Sequence, residues 1–178
     1  WLLLLQVPRV VMGGRHEVAW LGMGETLVLV SGAWTLFAAS AAEENRLRGW
    51  LARHRVKLGS VLFALALLPI GLSHFVYADV TAQMTPSYFP FRIDIAWFTG
   101  AAHIAAGLAI LFGVLPRLAA MLEAVMMSGF TLLIWLPGVA AAPTNRFQWT
   151  ALFASAALSG AAWVVAGILN GERVSALF

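Results

Sequence analysis

Four ionisable side chains lie inside long apolar stretches of this sequence: Glu25, His74, His103 and Glu123. Such groups are costly in hydrocarbon, so each marks a candidate polar site. An imidazole can donate and accept hydrogen bonds and can carry a proton near neutral pH. A carboxylate accepts hydrogen bonds and can orient an imidazole. His103 is the most informative of the four. It sits in Gly100-Ala101-Ala102-His103-Ile104-Ala105-Ala106-Gly107, where glycines three residues before and four after share its helical face. A neighbouring helix or a flat ligand could lie against the ring. Thr99 is on the same face. His74 sits in Gly71-Leu72-Ser73-His74-Phe75, with Gly71 and Tyr77 on its face. The candidate ligand-binding or proton-handling set is therefore His74, His103, Thr99, Tyr77, Trp97 and Trp135. Asp79, Arg92 and Arg146 are candidate charges at its outer mouth. The competing reading gives each histidine a backbone carbonyl or hydroxyl partner, so that it only locks helices together. Glu123 is expected near a membrane interface, within reach of water or Arg117. Asp79 and Asp94 are expected to cap helix ends. No residue is assigned as catalytic.

Other chemistries lack their residues. There is no Cys, which excludes disulfide scaffolds, iron–sulfur clusters and thiolate zinc. Serine–base pairs, paired acids, phosphate-binding glycine loops and His-x-x-His spacing are missing, which argues against a dedicated hydrolase or ATPase. At about 1.5 Å of helix per residue, His74 is expected about 6 Å below the outer surface and His103 about 12–15 Å. That descending pair suits one pocket better than a shared metal or haem iron, and neither is expected.

The elements that position these residues follow from composition. Of 178 residues, 61% are hydrophobic and 11% charged, with mean hydropathy +0.86. Soluble domains run at about 45–50% and 25%, so this chain cannot build a polar skin. Five windows are long enough to cross a bilayer core of about 20 residues: Val18–Ala41, Leu58–Ala78, Ile95–Leu115, Leu118–Val139 and Trp149–Asn170. The runs are continuous rather than alternating, which favours helices over a barrel. Ser155, Ala156 and Ala157 are followed four residues later by Ser159, Gly160 and Ala161, a stripe that lets helices approach. The opening run Trp1–Met12 reads as the end of a further membrane helix. At a constant offset of 129, Pro8, Trp20 and Trp34 fall on Pro137, Trp149 and Trp163. The expected fold is an all-α polytopic transmembrane bundle, built on a duplicated four-helix unit in parallel orientation. Residues 1–41 are read as the last two helices of the first copy. A basic linker spans 42–57, the second copy spans 58–170, and 171–178 form a tail.

Charge gives the orientation. The side holding 42–57, Arg117 and the tail is richer in Arg and Lys than the side holding Arg9, Arg15, Arg92 and Arg146. The richer side is expected in the cytoplasm, with the C-terminus. A pI of about 10.2 then reflects topology, and no nucleic-acid motif accompanies it. Glu43–Lys57 is expected either as a short headgroup-layer helix or as a solvated linker. The short connection at Pro116-Arg117 predicts an antiparallel helical hairpin. Trp97, Trp135, Trp149, Tyr77, Tyr88 and Phe89 form the outer aromatic belt.

The segments Gly71–Asp79 and Thr99–Gly107, with Pro86 and Pro90 between them, resemble the DoxX family of bacterial four-helix membrane proteins. Leu136-Pro137 and Asn145-Arg146-Phe147-Gln148-Trp149 fit as well. The likeness covers about Leu58–Asn170. The resemblance implies a bacterial inner-membrane location and quinone-linked redox chemistry. A quinone would be the cofactor, and a soluble or membrane protein the redox partner. It points to His74 and His103 as the family positions. The alternative is a non-catalytic membrane scaffold or small-molecule carrier, with lipid as its surroundings.

Overall fold

A backbone buried in lipid has no water to bond, so apolar runs of this length become helices. The computed structural model describes residues 1–43 and 50–171, and all regular structure among them is helical. In chain order the helices are α1 (Leu2–Gly13), α2 (Glu17–Glu43), α3 (Trp50–Val76), α4 (Ala78–Met84), α5 (Arg92–Leu111), α6 (Pro116–Ala141) and α7 (Arg146–Gly171). Five of them, α2, α3, α5, α6 and α7, are long and apolar enough to cross a membrane. The protein is an all-α polytopic bundle.

Two local findings refine the expected elements. The basic segment runs into α3 without a break from Trp50, while residues 44–49 of the expected headgroup helix lie outside the described residues. Asp79 and Asp94 do not cap their helices: the N-cap positions belong to Tyr77 and Phe91. Both acids instead sit within the first turn, where the helix dipole favours negative charge.

The α5–α6 connection is Phe112–Leu115. It turns through Gly113 and Leu115, at φ 71° and 48°. Pro116 then opens α6 with its φ already set for a helix. Near its other end α6 loosens into a π turn, Thr131–Trp135, just before Pro137. The same order occurs at the start of the chain: a π turn over Leu2–Gln6, then Pro8, then a turn into α2. Trp20 Nε1 donates to the Gly14 carbonyl at 3.0 Å. Trp149 Nε1 donates to the Pro143 carbonyl at 2.8 Å, six residues back in both cases.

The five long helices form a closed ring in which α2 packs on α3, α3 on α5, α5 on α6, α6 on α7 and α7 on α2. The short α4 lies against α5 at one end, here called the α4 end. Polar contacts reinforce the α6–α7 seam. Ser128 Oγ and Ser159 Oγ are 2.8 Å apart, as are Thr131 Oγ1 and Ser155 Oγ. The ring is filled unevenly. A core including Phe63, Leu67, Ile110, Ala124, Val165 and Leu169 packs the half toward the α5–α6 turn. The half toward α4 is hollow.

Candidate functional site

The hollow half holds a cavity of about 540 Å³ reached by all five long helices and α4. Its wall is mainly apolar, with its one acid, Glu25, on α2 and its two imidazoles on α3 and α5. Small backbones set those groups in place. A Cβ on Gly71 would lie 2.6 Å from the Gly100 carbonyl oxygen, and one on Gly100 would lie 2.8 Å from the Gly71 oxygen. So α3 and α5 touch backbone to backbone. The neighbour against the His103 face is thus a helix, α3, and the contact brings its His74 alongside. The two imidazole centroids are 5.1 Å apart, with Phe130 of α6 about 6 Å from both.

His74 is held by Thr99. Thr99 Oγ1 is 2.9 Å from His74 Nδ1 and within 3.0 Å of the Ile95 and Ala96 carbonyls. A hydroxyl has one proton, and a carbonyl can only accept it. With the Ala96 carbonyl also accepting from His74, the arrangement fits a Thr99 hydroxyl that donates to its own helix and accepts from His74 Nδ1–H. His74 Nε2 is left as an acceptor.

His103 is fixed more tightly. Its Nδ1–H donates to Glu123 Oε1 at 2.7 Å, and the two residues are each about 1% exposed. A carboxylate on one ring nitrogen fixes the tautomer and leaves the other nitrogen as an acceptor. That other nitrogen, Nε2, is buried and has no partner, and Glu123 Oε2 is likewise unpartnered. Glu123 was expected at an interface beside water or Arg117. The structure corrects this: the α5–α6 hairpin places Glu123 ten residues after Gly113 and His103 ten before it, so the two meet at one height.

Six sequence candidates divide clearly. His74, His103, Thr99, Tyr77 and Trp135 line the cavity. Trp97 does not; it is 49% exposed. It precedes Thr99 by two residues, about 200° around the helix, and so faces outward. Among the mouth charges, Asp79 and Arg92 share a separate surface groove of about 400 Å³ with Asp94. Arg146 is exposed and lines neither hollow. The cavity also takes in Glu25 of α2, whose side chain stays open to it.

Residues 55–136 match the family model described as DoxX. They form a DoxX-family domain. The match runs from the start of the α3 span through the π turn, so it contains His74, His103, Glu123 and Phe130. Both α2 and α7 lie outside it. No curated protein and no solved structure matches the chain. The chain is a multi-pass membrane protein with a DoxX domain at its centre.

Proposed function

We propose that this DoxX-family protein binds a quinone in the hollow half of its ring and supports quinone-linked redox chemistry in a bacterial inner membrane. The observation that carries the reading is the buried, unpartnered Nε2 of His103 at a mainly apolar cavity. Small-molecule sites are apolar pockets of about 300–1,000 Å³ with a few polar anchors, and 540 Å³ lies in that range. A quinone supplies two-electron chemistry coupled to two protons. His103 Nε2 would accept a hydrogen bond from one ring hydroxyl of the reduced form, while Glu123 holds the ring by its Nδ1–H. His74, on the cavity side of the same contact, would be the second anchor. Phe130 and Trp135 would exclude water from the ring faces. Electrons would come from a partner protein or substrate. Arg and Lys counts support an outer-facing cavity and a cytoplasmic C-terminus. The matching π turns, prolines and tryptophans support descent from a duplicated unit.

A second reading is a scaffold or small-molecule carrier. It is favoured by the same cross-helix bonds, Thr99 to His74 and His103 to Glu123, which join α3 to α5 and α5 to α6. Titration of a short-chain quinone into the detergent-purified protein decides between them. Tryptophan quenching that saturates, and that disappears in H103L/E123L, supports the quinone site. Unchanged fluorescence and melting temperature support the scaffold. The double variant is used because it leaves no orphaned buried partner.

A further inference from the structure

We propose that Glu25, contributed by α2 from outside the DoxX domain, makes the cavity selective for the reduced, hydroxyl-bearing form of its ring ligand. The inference rests on the quinone reading and adds a redox-state preference and a specificity residue to it. Glu25 is open to the cavity, whereas Glu123 is sealed against His103. It lies eight residues into α2, about 12 Å along the helix; His103 lies eleven residues into α5, about 16 Å. Both helices begin at the α4 end, so the two groups stand at similar depth. The two helices do not pack together: α2 borders α3 and α7, and α5 borders α3, α4 and α6. Glu25 and His103 thus approach the cavity from separate walls.

The hydrogen-bond inventory then selects the ligand. His74 Nδ1–H is committed to Thr99 and His103 Nδ1–H to Glu123. Each neutral imidazole therefore presents an accepting Nε2. Glu25, when ionised, presents only acceptors. A quinone carries only acceptors on its ring oxygens, so it finds no donor at Glu25, His74 or His103, and only Tyr77, Trp135 and the hydroxyl side chains of the lining could donate to it. A hydroquinone carries a hydroxyl donor at each end of a flat apolar ring, and meets acceptors on both sides. The selecting group belongs to this chain's ring-closing helix: at the offset of 129, Glu25 falls on Ala154, which lines the same cavity and has no polar group.

The test is anaerobic titration of a short-chain ubiquinone and its dithionite-reduced ubiquinol into the full chain, read by tryptophan quenching. The wild type should bind the ubiquinol about tenfold more tightly. E25Q keeps the side-chain shape while replacing one acceptor oxygen by a donor, and should reduce the preference to about threefold or less. E25A, which copies Ala154, should do the same and guards against a folding defect in the first variant. Equal affinities in the wild type, tighter ubiquinone binding, or a preference that is undiminished in both variants would overturn the proposal while leaving the quinone site standing. Binding of neither form by the wild type would overturn both.

Discussion

His103 and Glu123 act as one unit, and the unit shows in how each fails alone. Removing one partner leaves a buried polar or charged group without a mate, at a cost of about 3–5 kcal/mol for an ion pair. E123L is therefore expected to lower the unfolding free energy in detergent by that order. H103L/E123L should recover most of the loss, because two apolar side chains leave nothing orphaned. Equal losses in the single and double variants would show that the contact carries no coupling. T99V should cost about 1 kcal/mol and free the His74 ring to rotate, which can be followed by the imidazole NMR signals. Both histidines were legible in the sequence because they interrupt apolar runs. Thr99 was a candidate too, but its pairing with His74 and that of Glu123 with His103 were not read, since a contact across a helix interface has no local sequence spacing. Glu123 is the instructive case. The Pro116 hairpin was expected, and equal counting from its turn would have placed Glu123 opposite His103.

At the scale of elements, the α3–α5 crossing is set by Gly71 and Gly100. G100A must push a carbonyl or the His74 Cβ away, and overpacking of this kind costs about 1–3 kcal/mol. The variant should melt earlier and lose quinone quenching, although its added methyl lies on no ligand. A variant with unchanged melting and binding would show that the helices separate freely. The opposite sign is expected at Leu115, an exposed residue held at φ 48°. A left-handed conformation costs a side-chain-bearing residue about 1–2 kcal/mol, so L115G should stabilise the protein by roughly 1 kcal/mol. Helix lengths and the hairpin were readable from hydropathy and proline. The π turn over Thr131–Trp135 was not, because its Leu- and Ile-rich run is equally apolar in either helical form. It bears on the site, since Ile134 and Trp135 both reach the cavity wall from this turn.

Across the whole molecule, the sequence carries its long apolar spans in plain view, but not the ring. Which helix neighbours which depends on side-chain fit, and α2 between α3 and α7 has no signature in hydropathy. The absence of Cys makes orientation simple to measure. T144C and V114C, in loops at opposite ends of the bundle, should react with a membrane-impermeant maleimide from the periplasmic and cytoplasmic sides respectively. Labelling of both from one side would refute the topology. The unequal filling of the ring has a mechanical consequence. Hydrostatic compression favours states that eliminate internal void volume, so force applied isotropically should act on the two halves differently. Backbone amides near Phe63 and Leu67 should stay protected to high pressure, while those from Tyr77 to Met84 exchange early. An occupant filling the void would then make the softer half as incompressible as the other.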